Sequence, residues 1–238
     1  MWDYYKPRPK KKTKIEIAKQ VAKLAKKNPD ISPVIIDGTK IATKWWGIAW
    51  NKNLESYADY SNRIARGRSY VRSGAVIDLK IETNTVKALV QGSRRAPYEI
   101  LIKIKPLDKQ RWDEIVDSSS HKIENMEALA SGKFPEEMAQ MFTGKGSGLF
   151  PSPNEISFDC SCPDWADMCK HVAAVLYGIG ARFDEDPLLL FKLRDIDFEV
   201  LLKKSIDQKL ESMFKNVGKK SNRVLDGEEF NTMDLFGV

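Results

Sequence analysis

All three cysteines of this 238-residue chain, together with one of its two histidines, fall within twelve residues. The four residues follow the spacing C-x-C-x6-C-x-H, and they are Cys160, Cys162, Cys169 and His171. Three thiolates and one imidazole in so short a segment supply the ligands of a tetrahedral Zn²⁺ site. Random placement of three cysteines would rarely produce this arrangement, so the segment predicts a metal centre.

Two other interpretations of the cysteines are weaker. If they were buried structural thiols, with His171 only opening a helix, the absence of cysteine elsewhere in the chain would need its own explanation. A disulfide would leave one cysteine over, and the first residues do not resemble a secretory signal. With four protein ligands, the predicted site has no position for an activated water and is therefore structural.

The sequence around the four residues predicts how they are held. Ile156 and Phe158 alternate with polar neighbours up to Cys160, which is typical of a short strand. The residues that begin at His171 favour a helix that ends at Gly178. We therefore expect the first ligand pair at a strand end and the second at a helix start, where the helix terminus would favour a thiolate.

The segment 160–175 resembles the SWIM zinc finger, whose pattern is C-x-C, a variable loop and C-x-H. Further segments between about residues 44 and 195 are similar to the prokaryotic SWIM zinc finger family proteins. Those segments are 45–50, 60–78, 90–93, 149–153 and 178–187. The resemblance implies bound zinc, contacts with DNA or proteins, and a companion ATPase of the helicase-like Swi/Snf type. That ATPase partnership is implied by the resemblance alone.

The charge of the chain is distributed unevenly. Residues 1–112 contain 25 Lys and Arg against 10 Asp and Glu, a net charge of +15, whereas the remainder has 14 against 23, a net charge of −9. This asymmetry favours a nucleic-acid face on the basic half and a protein-facing or solubilising surface on the acidic half. The alternative is an ordinary solvated surface that happens to be lopsided.

The predicted nucleic-acid site lies where arginines alternate with Gly67, Ser69 and Tyr70, ahead of a strand that begins at Val71. Guanidinium groups bind phosphates in a bidentate way, and two further arginines in a later turn would extend the same surface. The predicted contact residues are Arg63, Arg66, Arg68, Arg72, Arg94 and Arg95. The alternative is that arginines of this stretch pair with Asp59 or Asp78 and form a solvated surface.

The predicted fold class is α+β, with a small antiparallel β meander, surrounding helices and an embedded SWIM-type finger. Strand patterns occur at 74–82, 86–92 and 98–104. The predicted regions are a basic arm and amphipathic helix at 1–30, a basic α+β region with the meander at 31–107, a helical region and linker at 108–148, the finger at 149–182, and C-terminal helices with a polar tail at 183–238. The tryptophans at 45, 46 and 50 either anchor a core or stack on bases.

The leading functional prediction is a non-enzymatic protein in which structural zinc fixes the fold. It would bind nucleic acid, with DNA as the expected form, and a protein partner. The alternative is a protein–protein adaptor without direct nucleic-acid contact. An enzyme is least favoured, because His121 fits a polar surface turn and no catalytic carboxylate constellation stands out. No apolar run is long enough for a membrane span, and reduced thiols favour the cytoplasm, including the nucleoid.

Overall fold

A computed structural model describes residues 12–56, 61–120, 134–144, 146–164, 166 and 168–216. Three sequence predictions fall outside these residues. They are the basic arm over residues 1–11, the surface position of His121, and the polar tail from residue 217 onward.

A four-stranded antiparallel sheet contains the predicted meander, and its strand order follows the chain. The strands are β1 Val76–Glu82, β2 Thr85–Val90, β3 Tyr98–Ile104 and β4 Ile156–Cys160. Along β3 buried and exposed side chains alternate, because one face covers the core and the other meets solvent. The α+β prediction is confirmed, and β4 adds a fourth strand whose partner the sequence did not indicate.

The described part of the chain contains eight α-helices. They are α1 Lys14–Ala25, α2 Trp45–Glu55, α3 Ser61–Arg72, α4 Lys109–Ser119, α5 Ala139–Thr143, α6 Lys170–Glu185, α7 Leu189–Leu193 and α8 Phe198–Asn216. None of the helices among these residues is long and apolar enough to cross a membrane. The central helix is α6, which is buried almost throughout and packs against the sheet, α2 and α3.

Helix α6 continues to Glu185, so the prediction that it ends at Gly178 was wrong. A Cβ atom at Gly178 would lie 2.9 Å from Leu79 Cδ1 and 3.2 Å from Val34 Cγ2. The glycine therefore allows α6 to approach β1 closely and does not terminate the helix.

The arginine-rich stretch is helix α3, whereas the sequence favoured a strand beginning at Val71. Gly67 lies where α3 crosses α6: a Cβ atom there would be 2.5 Å from Ala173 Cβ. Val71 is fully buried at the end of the same helix. Close helix packing explains both residues, which local sequence pattern alone did not reveal.

We expect Gly67→Ala to destabilise the protein by about 1–3 kcal/mol, because the added methyl group overpacks the crossing of α3 and α6. In an open helix the same substitution stabilises by about 1 kcal/mol. Urea unfolding followed by circular dichroism gives the sign of the change. A variant that is more stable than the wild type would contradict the close contact between the two helices.

The tryptophans of α2 pack in the core, which is the first of the two alternatives that the sequence left open. The Trp50 indole is fully buried and donates a hydrogen bond to Leu176 O at 3.0 Å. The indole of Trp46 donates to Phe183 O at 2.7 Å. Both acceptors belong to α6, so these rings fasten α2 to the central helix.

Candidate functional site

The four candidate metal ligands converge at the junction of β4 and α6. Cys160 is the last residue of β4, Cys169 is the N-cap residue of α6, and His171 lies in the first turn of α6. The three sulfur atoms and one ring nitrogen lie within 4.8 Å of one another. The structure therefore confirms the prediction that the first ligand pair lies at the end of a strand and the second at the start of a helix.

The spacing of these atoms fits a tetrahedral metal ion. His171 Nδ1 lies 3.9 Å from the Sγ atoms of both Cys160 and Cys169. Ideal Zn–S and Zn–N bonds of about 2.3 Å and 2.0–2.1 Å put neighbouring ligand atoms roughly 3.5–3.8 Å apart. The four side chains are thus close to coordination geometry, and they imply a bound metal ion.

The environment of Cys169 favours its thiolate. A hydrogen bond with Cys160 is the main cause that lowers the pKa of Cys169 to about 3, and the His171 side chain and the backbone N–H groups of Val172 and His171 act in the same direction. The same Cys160–Cys169 interaction raises the pKa of Cys160, while burial is the main cause that raises the pKa of Cys162. Binding of a metal ion by these residues would displace protons from Cys160 and Cys162.

Two tyrosines from separate segments of the chain pack against the His171 ring. The Tyr98 ring stacks on the imidazole with centroids 4.3 Å apart, and the Tyr70 ring meets it edge-on at 5.3 Å. His171 Nε2 is buried and has no hydrogen-bond partner among the described residues. A Cβ atom at Gly92 would lie 2.5 Å from the Tyr98 ring, so this glycine leaves room for the stack. No sequence pattern linked either tyrosine to His171, because both are remote from it along the chain.

Two of the six arginines that were predicted to contact nucleic acid form ion pairs with carboxylates of the protein itself. Arg63 forms an ion pair with Asp164, which lies in the loop between Cys162 and Cys169. Arg68 pairs with Glu55 at 2.7 Å and donates a hydrogen bond to the Tyr177 hydroxyl at 2.7 Å. These arginines therefore fasten α3 to the finger loop, to α2 and to α6.

The other four predicted contacts, Arg66, Arg72, Arg94 and Arg95, are exposed. The backbone N–H of Gln91 donates to Ala75 O at 2.7 Å, which brings the turn after β2 next to the end of α3. The four exposed arginines therefore lie on two neighbouring elements. We call Arg66, Arg72, Arg94 and Arg95 the basic surface.

The basic surface adjoins the metal centre through the two tyrosines. The Arg94 guanidinium lies over the Tyr98 ring, 5.3 Å from its centroid. Arg66 is close enough to Tyr70 to lower the pKa of the phenol, although burial is the larger influence and raises it. Arginine–tyrosine pairs thus approach the His171 ring from α3 and from β3.

Helix α1 docks beside the same turn. The Gln20 amide donates to the Gln91 side chain, and the Gln91 amide donates to Gly92 O at 2.9 Å and Arg94 O at 2.6 Å. Lys19 and Lys23 of α1 are exposed. Helix α1, which carries these lysines, is therefore joined to the turn that carries Arg94.

A buried ion pair supports the start of β4. Arg194 is fully buried, and it bonds Glu155 Oε1 at 2.6 Å and Lys105 O at 3.0 Å. The other carboxylate oxygen of Glu155 accepts hydrogen bonds from the backbone and hydroxyl of Ser152. These contacts fix the residue just before β4, and β4 positions Cys160.

Comparison with known proteins identifies the metal centre. Residues 159–178 match the family model of the SWIM zinc finger, so the chain carries a SWIM zinc finger at the cluster described above. The chain is also 42% identical over 163 residues to the uncharacterized protein Rv2102 of Mycobacterium tuberculosis. That alignment covers 68% of this chain and 58% of the relative, so the chain spans less than two thirds of the relative's length. No solved structure matches the chain.

Proposed function

We propose that this protein is a zinc-loaded, non-enzymatic nucleic-acid-binding protein, and that the basic surface contacts the phosphates of double-stranded DNA. The observation that carries the proposal is the position of this surface. Two of its four exposed arginines reach the metal centre through the tyrosines that pack on His171: Arg94 lies over Tyr98, and Arg66 lies close to Tyr70. Exposed arginine is a usual donor to backbone phosphates.

Zinc is the metal that best suits the ligand set. Three cysteine sulfurs and one histidine nitrogen in near-tetrahedral spacing are typical of structural Zn²⁺ sites. The bound ion supplies folding free energy, and a site with four protein ligands has no open position for substrate or water. The closed ligand set supports the non-enzymatic role, which stays a prediction.

The packing of the aromatic residues favours a duplex over a single strand. Proteins that bind single strands stack bases on exposed aromatic rings. Tyr70 and Tyr98, the rings beside the basic surface, are only 8% and 7% exposed and pack on His171. The accessible groups are guanidinium and ammonium groups, which contact phosphates without reading the bases. We therefore expect weak sequence specificity.

A salt series with a short duplex tests the proposal. We expect the zinc-loaded wild type to lose affinity steeply as salt rises, because phosphate binding releases counterions. In Arg66→Ala/Arg94→Ala we expect at least about tenfold weaker binding, with the slope of log affinity against log salt reduced by about 2. Fluorescence anisotropy of a labelled duplex of about two helical turns measures both quantities.

The matched control is Lys103→Ala/Lys192→Ala, which removes the same charge elsewhere. Lys103 is exposed on β3 five residues beyond Tyr98, which puts it about 17 Å further along the strand. Lys192 is exposed on α7 and influences the pKa of Glu82 at the same end of the sheet. Equal losses in the two double variants would mean that net charge alone drives binding and would contradict an interface at the basic surface.

Helix α8 favours a second function, the docking of a protein partner. Its exposed apolar residues Ile206, Leu210, Met213 and Phe214 recur at helical spacing. The resemblance to SWIM proteins makes a Swi/Snf-type helicase-like ATPase the proposed partner. Co-elution of the two purified proteins, lost in Leu210→Ser/Phe214→Ser but retained in Arg66→Ala/Arg94→Ala, would support this role. Absence of co-elution with the wild type would contradict it.

A further inference from the structure

We infer that the metal ion and the nucleic acid bind cooperatively, because the two tyrosines around His171 connect the metal centre to the basic surface. The inference rests on the proposed function and adds a form of regulation to it. Tyr70 and Tyr98 act as positioning residues for His171. The contacts that carry the coupling run from the metal ligand outward to the arginines.

The orientation of the imidazole depends on the rings that pack against it. A metal-bound histidine usually donates its second ring N–H to a carboxylate, a carbonyl or water, and this hydrogen bond fixes the ring. His171 Nε2 has no such partner among the residues that the structure describes. The ring is instead held between Tyr98 and Tyr70, so the spacing of these tyrosines determines where Nδ1 points.

Each tyrosine is joined in turn to the basic surface. Tyr98 lies beneath the Arg94 guanidinium, and Tyr70 is one helical turn after Arg66 on α3. A phosphate backbone held by Arg66 and Arg94 would fix α3 relative to the turn before β3. The same constraint keeps Tyr70 and Tyr98 against His171, so nucleic acid stabilises the arrangement that the metal ion requires.

A third contact also couples the metal centre to α3. Arg63 lies on α3 about one helical turn before Arg66, and it pairs with Asp164 in the loop between the two ligand pairs. A metal ion that orders this loop therefore also restrains α3. Coupling between two binding equilibria is reciprocal, so the metal ion must strengthen nucleic-acid binding by the same factor.

Equilibrium competition for zinc with a chelator tests the inference on the loaded protein. We expect a saturating amount of the same duplex to protect the bound zinc of the wild type, so that about tenfold more chelator is needed to remove half of it, within the usual range of coupling between sites. Tyr98→Leu removes the stacked ring and should abolish most of this protection. Tyr98→Phe keeps the ring and should retain it.

Arg94→Ala provides a second variant that leaves both tyrosines in place. At a duplex concentration that saturates this variant, we expect its zinc to be protected less than that of the wild type. Equal protection in the wild type, Tyr98→Leu and Arg94→Ala would overturn the coupling. So would a duplex that binds the wild type without protecting its zinc from the chelator, whereas failure of the loaded wild type to bind any duplex would refute the proposed function itself.

Discussion

Cys169→Ser is expected to abolish stoichiometric zinc binding and to destabilise the protein by at least about 4 kcal/mol. Cys169 is 1% exposed, it is the N-cap residue of the central helix, and it is the ligand whose pKa is lowered. Structural zinc contributes about 10–16 kcal/mol in finger peptides, while whole domains are stable by about 5–15 kcal/mol. Loss of one ligand therefore removes a large fraction of the total stability.

Metal analysis of the purified variant and its thermal unfolding measure the two effects. The chain has no cysteine outside the cluster, so the matched control is Ser161→Ala, an exposed position between two ligands. This control should keep one zinc ion per chain. A Cys169→Ser protein that holds zinc at the same stoichiometry and melts with the wild type would contradict the ligand assignment.

Arg194→Met is expected to destabilise the protein by about 3–5 kcal/mol, the usual cost of removing one partner from a buried ion pair. Arg194 is 0% exposed and Glu155 has 17% of its side chain exposed, so the carboxylate left behind is poorly hydrated. Arg111 stays 3.6 Å from Glu155 and compensates only in part. Urea unfolding at neutral pH measures the loss, and Lys204→Met is the control.

The control removes a cation from an exposed ion pair, between Lys204 and Asp117, and should cost no more than about 1 kcal/mol. The pH dependence gives a further check on the Arg194 variant. Burial alone would raise the pKa of Glu155, but hydrogen bonds from Ser152 and Arg194 lower it below its ordinary value of 4.5. Stabilisation by Glu155 is therefore present above its ordinary pKa and is lost as the pH falls through the folded pKa.

The difference in unfolding free energy between the wild type and Arg194→Met should accordingly shrink at acidic pH. Protonation removes the charge of Glu155 that the arginine stabilises, so the two proteins become more alike. A difference that stays constant from neutral pH to well below the ordinary pKa of Glu155 would show that Arg194 contributes by packing alone.

The sequence predicted the metal centre well because its ligands are local. Cys160 and Cys162 are separated by one residue, as are Cys169 and His171, and the short strand and the helix that hold them leave recognisable patterns. Coordination chemistry restricts the possible ligand types and their number. The meander was predicted for the same reason, since alternation and short turns are properties of neighbouring residues.

The surroundings of the centre could not be predicted because they depend on contacts between distant segments. Tyr70 and Tyr98 meet His171 only after α3, β3 and α6 have packed together. Gly178 was expected to end a helix, and Gly67 was assigned only to an arginine-rich stretch before a strand, yet both lie within helices at close contacts. The arginines that form ion pairs within the protein could not be predicted either, because their partners are distant in sequence, as Asp164 is from Arg63.

Hydrogen exchange on the zinc-loaded protein, with and without the short duplex, tests the central claim most directly. We predict that the duplex slows amide exchange together in α3 and in residues 92–97, the two elements that carry the basic surface. The solvent-facing side of the sheet around Lys103 should be unaffected. Protection confined to α8, or no change in α3 and the turn while the duplex is bound, would contradict the account.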